Sequence, residues 1–350
     1  FQRLPLIVRR DNPLTVEGWN TRIAFDREHN IFHTAEWAGV LADTYGFAPI
    51  CFTAGRGDEP EAVFPVMEVA SRLTGRRGVS LPFTDHCEPL GSSEAVSAAM
   101  RDALEFGRTR GWRYLECRGG GRADFLKNAA PSVSFHGHAL DLERDTDRLF
   151  ARLDGSVRRA IRKAEKSGLT IEFSTSLSAV HNYYQLHCIT RRHHGLPPQP
   201  FRFFEAIHRR LVDRGLGAVV SARLGDQVVA AAVFLKAGAR ATYKFGASDR
   251  RFQETRANNL VMWEAIRRFA SEGAAVLDFG RTSLDNEGLR RFKRGWGARE
   301  FRINYYRYDL RRNAFVTEPD RASGWHTRVF RLLPIPLART IGTLLYKHAA

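Results

Sequence analysis

The chain has 350 residues, 43% of them hydrophobic and 26% charged, the balance of a globular protein long enough for two cores. No apolar run reaches the roughly 18–20 residues of a membrane-spanning helix. The four cysteines lack metal-ligand spacing and read as a reduced, cytosolic set, so no metal site is expected. The net charge of +16 is confined to one half: residues 1–150 carry a net −3 and residues 151–350 a net +19. A polyanionic partner would therefore dock on the second half.

In the first half, "YGFAPICFTAGRGD" reads as a helix end, a strand and a tight Gly-Asp turn, and "EAVFPVMEV" as the next strand. A Pro-bounded loop, "SLPFTDHCEP", follows. It offers Asp85 and His86 as acceptor-binding or acid–base groups, since loops on rigid scaffolds often carry sites. "ALEFGRTRGWRYLECRG" then gives an amphipathic helix, a glycine C-cap and a buried strand ending in a carboxylate. The expected domains are 1–145 and 146–312, with a basic amphipathic tail over 313–350.

The second half opens on the helix "GSVRRAIRKAEKSG". Arg158, Arg159, Arg162, Lys163 and Lys166 spread over an arc of roughly 140°, with Val157, Ala160, Ile161 and Ala164 opposite. Its cationic side is expected to hold phosphates in a groove between the halves, with a solvated face as the alternative. "RRHHG" offers His193 and His194 as a base or phosphate ligand, or simply as a helix C-terminus suited to cations. Next, "RGLGAVVSARLGD" and "VVAAAVFLKA" repeat the strand–turn–strand pattern of the first half. "AIRRFASEGAAVLDFGR" repeats "ALEFGRTRGWRYLECRG" in the same order, placing Asp278 in the slot of Glu116.

Within this second copy several residues stand out. Lys244, in the strand-like "ATYKFGAS", is costly unless paired or facing a cleft. Asn258 or Asn259 is expected to cap the following helix and leave its amides open to an anion. Asp278 ends a buried strand beside Arg281, as a pocket carboxylate or a structural ion pair. "FKRGWGARE" suggests Lys293 on phosphates and Trp296 as an aromatic wall, though Gly-Trp-Gly is also a packed turn. At the end of the chain, "RVFRLLPIPLARTIGTLLYKH" spaces Arg328, Arg331, Arg339 and Lys347 through apolar residues. Pro334 and Pro336 precede a short helix that either packs back or lies on an anionic membrane.

Two α/β units, each a mixed sheet flanked by helices, resemble tandem GNAT acyltransferase domains of the Fem-type peptidyltransferase family. The resembling strings are "FHTAEWAGVLADTYGFAP", "LTGRRGVSLPFTDHCEPLG", "SVRRAIRKAEKSGL", "TRRHHGLPPQPFRFFEAI", "YKFGASDRRFQETRANNLVMWEAI" and "LDFGRTSLDNEGLRRFKRGWGARE". "SLPFTDH" and the basic end are similar to an exosortase- and exopolysaccharide-associated subgroup. The resemblance implies transfer of an acyl or aminoacyl group from an activated carrier to an amine on a phosphorylated or lipid-linked envelope precursor. It implies a cytoplasmic protein, peripheral at the inner membrane face. The reaction needs a proton acceptor and an oxyanion donor. Asp278, Lys244, Arg281 and His194 are the catalytic candidates. Arg158, Arg162, Lys163, Asp85, His86, Asn258, Asn259, Lys293 and Trp296 are the binding candidates. The donor stays open among acyl-CoA, an acyl carrier protein and aminoacyl-tRNA. Acetyl-CoA enzymes of this superfamily carry a glycine-bearing pyrophosphate loop, and "SDRRFQETRANN" has no glycine. A non-catalytic scaffold and a nucleic-acid binder are the alternatives. DNA is not expected, because no aromatic residues interleave the cations of 155–168.

Overall fold

The computed structural model describes residues 5–317 and 330–348. These form two compact units, one of residues 1–135, 302–320 and 347–350, the other of residues 136–301 and 321–346. The division falls ten residues before the expected 145, because the chain leaves the first unit within one strand and re-enters it within another. The expected third segment is shared out between the units.

In the first unit the chain runs β1 (Ile7–Asp11), α1 (Trp19–Arg22), α2 (Ala35–Tyr45), β2 (Ala48–Gly55), β3 (Ala62–Ser71) and β4 (Gly75–Ser80). It continues through β5 (Leu90–Gly91), α3 (Ser93–Thr109) and β6 (Tyr114–Arg118), then enters β7 (Val133–Asp141). The second unit takes α4 (Thr146–Arg152), α5 (Gly155–Glu165), β8 (Leu169–Ser174), α6 (Leu177–His193), α7 (Phe201–Ile207), β9 (Gly217–Leu224) and β10 (Gln227–Ala237). β11 (Arg240–Ser248), α8 (Ala257–Ser271), β12 (Val276–Ser283) and α9 (Glu287–Arg294) follow. β13 (Arg299–Asp309) returns the chain to the first unit, where β14 (Ala314–Val316) pairs with it, and α10 (Ile335–Leu345) belongs to the second.

Each unit repeats one topology. The first has strand order β1-β2-β3-β4-β6-β13, antiparallel except for the parallel pair β4·β6, which α3 connects. The second has order β8-β9-β10-β11-β12-β7, antiparallel from β8 to β11, with β11·β12 parallel across α8. A parallel neighbour requires a crossover, and the amphipathic helix ending in glycine supplies it both times. Gly111 and Gly273, at φ 70° and 86°, occupy the left-handed conformation that ends each crossover helix.

The cores follow from the same pattern. In the first unit, Ala95, Ala99, Met100 and Ala103 of α3 pack on Phe52, Phe64 and Leu115. In the second, Leu260, Val261, Ala265 and Phe269 of α8 pack on Val220, Phe234, Leu277 and Phe279. α5 adds Val157, Ile161 and Ala164 to that core and leaves its cations outward, as expected of its spacing.

Candidate functional site

The second unit opens where β11 and β12 part. Their parallel register holds for three pairs only, Arg240↔Val276, Ala241↔Leu277 and Thr242↔Asp278, although both strands continue. Two irregularities cause the divergence. In β11 the ladder with β10 steps from Phe234↔Tyr243 to Val233↔Phe245, so Lys244 is an extra, bulged residue. The bulge reverses the alternation of faces. Tyr243 packs towards α8, with its ring 5.4 Å from Phe234, and Phe245 packs into α6 and α7, 5.5 Å from Phe204. Bulges commonly re-aim a side chain next to a site. The Lys244 ammonium lies 5.1 Å from the Phe245 ring centroid.

In β12 the kink is at Gly280, whose φ of 68° disfavours any residue with a Cβ. Asp278 Oδ1 accepts the Gly280 N–H at 2.6 Å. Lys293 of α9, 3% exposed, donates through Nζ to the carbonyls of Gly280 (3.0 Å) and Arg281 (2.9 Å). Leu277 and Phe279 point into the α8 core, so Asp278 between them faces the other side, where α6 lies. Thus Lys244 and Asp278 are brought to one opening between strands. Arg281 follows on the exposed rim.

Beyond the divergence, a cavity of about 680 Å³ is lined by the end of α6 (Thr190, Arg192, His193, His194), the end of β11 (Ser248, Asp249, Arg250) and Arg331. Ser248 is four residues from Lys244, roughly 13 Å along a strand. Thr190 Oγ accepts the Ser248 N–H at 3.2 Å, and Asn258 Nδ2 donates to Ser248 Oγ at 2.9 Å. Asp249 is already taken by Arg251 at 2.6 Å, which holds its carboxyl below the ordinary value. Arg192, Arg250 and Arg331 have no ion-pair partner among the described residues. Desolvation lowers both His193 and His194, and the neighbouring guanidiniums of Arg250 and Arg331 lower them further. Neutral imidazoles beside unpaired guanidiniums suit an anion, whose arrival would favour protonating them.

Several sequence expectations change here. Trp296 is wholly buried in the α8 core, 6.0 Å from Phe292, so it is a packed turn and not a ligand wall. The Lys293 ammonium serves the β12 backbone instead of a phosphate. Neither Asn258 nor Asn259 caps α8: Arg256 is the N-cap, at φ 59°, and the asparagines sit in the first turn. On α5, Arg158 donates to the Ala151 carbonyl at 3.2 Å, Arg162 lies over Phe150 and Lys163 pairs with Glu254 at 3.3 Å. His194 is the α6 C-cap as well as a cavity wall. Arg328 lies outside the described residues.

In the first unit, the loop carrying Asp85 and His86 is held from below. Arg118 donates to the carbonyls of Leu81 and Thr84, both at 3.0 Å, and Tyr305 Oη donates to that of Asp85 at 2.5 Å. His86 Nε2 lies 3.3 Å from Glu88. Arg118 is fixed by Glu116 at 2.9 Å, which also takes Arg307 at 2.6 Å. Burial raises the Glu116 pKa, but the two guanidiniums outweigh it and hold the carboxyl at about 2. The sequence reading gave Glu116 no role, although its repeat slot is that of Asp278. It also passed over His136 and His138, alternate residues of β7 facing Glu300 at 3.4 and 3.1 Å, with Arg290 on the same carboxylate at 2.8 Å. Burial, then Lys293, pushes His138 down to about 4. Their only sequence signal is the His-x-His alternation in a strand.

A parallel strand pair joined through a crossover helix occurs in both units, and in the second it parts beside a bulge; this is the fold known as GNAT. Residues 151–294 match the family described as "Acetyltransferase (GNAT) domain". Among solved structures, FemX is similar over 87% of this chain and 98% of its own, with a TM-score of 0.69 at 15% identity. The "C-terminal Domain (DUF2156) of Putative Lysylphosphatidylglycerol Synthetase" from Agrobacterium fabrum is similar over 87% of this chain and 93% of its own (TM-score 0.54, 13% identity). A tandem GNAT protein from the clavulanic acid biosynthesis pathway covers 87% and 99% (TM-score 0.54, 11% identity). No curated protein sequence matches significantly. The chain has the Fem-like tandem GNAT fold that its sequence resemblance implied, and among the described residues no helix is long and apolar enough to cross a membrane.

Proposed function

We propose that the protein is an N-acyltransferase. It moves an acyl or aminoacyl group from an activated carrier to an amine on a phosphorylated or lipid-linked cell-envelope or polysaccharide precursor. The observation that carries this reading is the asymmetry of the two copies. In the second unit, the strand divergence holds the bulged Lys244 and Asp278. In the first, register puts Leu81 in the slot of Lys244, and Glu116, in the slot of Asp278, is locked between two arginines. Chemistry and the phosphate-binding cavity are both assigned to the second unit.

In this reaction the amine loses a proton as it attacks the carbonyl, and the carbonyl oxygen gains negative charge. Asp278 is the group suited to take the proton and Lys244 the one suited to face the oxyanion, with Arg281 at the rim. The cavity of Arg192, Arg250 and Arg331 would hold the phosphate of a substrate, with His194 beside it. The FemX and lysylphosphatidylglycerol synthetase folds support an aminoacyl donor; an acyl-CoA or acyl carrier protein is the other class to test.

The experiment supplies the purified protein with each donor class and amine-bearing phosphorylated acceptors, and detects the amide by mass spectrometry. Amide formation should fall at least about 100-fold in Lys244→Met and Asp278→Asn. A wild type inactive with every donor would favour the scaffold reading. Full activity in both variants would remove the site from the strand divergence.

A further inference from the structure

α10 presents two unlike faces. Ala338 and Gly342 are buried towards α6, and a Cβ at Gly342 would stand 2.1 Å from the Pro198 carbonyl, so this face is made for close seating. The other side exposes Leu337, Leu344 and Leu345, at 48, 64 and 45%, and Leu332 just before the helix is 87% exposed. At 100° per residue, Leu337, Leu344 and Leu345 fall within roughly 100° of one another, one continuous stripe along the helix. Ile341, half-buried, lies within it.

The charge along this end of the sequence is of one sign. Residues 321–350 contain five Lys and Arg and no Asp or Glu, with Arg331 directly before Leu332 and Lys347 two residues after Leu345. An apolar helix stripe flanked by cations alone matches the chemistry of an anionic lipid surface, where leucines enter the headgroup–acyl boundary and cations meet lipid phosphates. A protein partner of matching chemistry would have to be both apolar and acidic over the same area.

We propose that residues 331–347 dock the protein on an anionic bilayer surface through Leu332, Leu337, Leu344 and Leu345. This gives the proposed transferase its setting, and it rests on that reading only for the use of a lipid-linked substrate, not for the contact. The stripe lies parallel to the surface and crosses nothing.

The test is co-sedimentation of the full chain with vesicles of phosphatidylcholine containing 30 mol% phosphatidylglycerol, as about a third anionic lipid, against phosphatidylcholine alone. Binding to the anionic vesicles should be at least about tenfold stronger, and 0.5 M NaCl should weaken it by a similar factor. The double variant Leu337→Asp/Leu344→Asp should lose at least about tenfold in partitioning while keeping its circular dichroism, since both side chains are exposed. Arg331→Glu should weaken binding to the anionic vesicles alone. Equal partitioning of wild type and the leucine variant would overturn the proposal. So would absence of vesicle binding together with a dimer that the leucine variant abolishes, which would assign the stripe to a second copy of the chain. The readout is binding, so an inactive transferase would leave it standing.

Discussion

Glu116→Gln removes the carboxylate between Arg118 and Arg307 while keeping its shape. Both guanidiniums are mostly buried, with side chains 13 and 20% exposed. Stripping the shared counter-charge from such a pair costs about 3–5 kcal/mol. Part of this cost depends on pH, and its sign is fixed. The folded carboxyl at about 2 lies below the ordinary 4.5, so its contribution is complete above about 4.5 and lost as pH falls towards 2. At about 1.4 kcal/mol per pH unit, that interval amounts to about 3 kcal/mol. The assay is hydrogen exchange of peptides spanning 81–88 and 114–118, read by mass spectrometry at pH 7 and at pH 2.5, with intrinsic rates corrected. At pH 7 protection should drop by about two orders of magnitude in the variant, extending to 81–88 because Arg118 holds the Leu81 and Thr84 carbonyls. At pH 2.5 wild type and variant should converge. A protection gap that stays the same at both pH values would refute the ion-pair account.

Other outcomes follow from the same geometry. Arg192→Gln/Arg250→Gln should raise KM for a phosphorylated acceptor by about tenfold or more with little change in kcat, because the cavity binds at a distance from the reacting atoms; steady-state kinetics decides. Gly280→Ala, forced against its positive φ, should cost about 1 kcal/mol in urea unfolding and lower kcat more than it raises KM, since Asp278 hangs on the Gly280 amide. For His138 the folded pKa of about 4 lies below the ordinary 6.5. Stability of the second unit should therefore fall as pH drops from 6.5 towards 4, and His138→Gln should flatten that slope in thermal melts. Gly342→Val should release α10, seen as new protease cleavage within 335–345, because its side chain would meet the Pro198 carbonyl.

How much of this could be read from the sequence depends on how far apart the contributing residues lie. The duplicated topology was legible because Leu115 and Glu116 recur as Leu277 and Asp278 behind the same helix, a local pattern that period and spacing reveal. Lys244 stands out in the sequence through the cost of a lysine in an apolar strand. The bulge that explains it was not legible, since "TYKF" contains no glycine or proline to mark an extra residue. Lys293 and Trp296 misled for a related reason. A lysine at the end of a short charged helix is normally solvated, and only the kink at Gly280 shows why this one is buried. The basic cavity draws on residues near 190, 250 and 331, and no pattern along the chain joins such distant positions. The unit boundary shifted because β7 and β13 each begin in one compact unit and end in the other, and a pattern of hydrophobicity does not mark where contacts change partners.

Lys244 has a consequence for how this strand tolerates change. As the surplus residue of β11, it takes no place in the ladder with β10, so its side chain is exempt from the alternation that binds Tyr243 and Phe245 to opposite faces. Substitution at 244 leaves both faces seated; deletion of 244 makes Tyr243 and Phe245 neighbours, which plain alternation keeps on the opposite faces they already occupy, and removes only the bulge. The position is thus free to vary in kind, and its loss would close the bulge without unseating either face. New reactivity could be sampled there one side chain at a time, without the sheet having to be rebuilt around each trial.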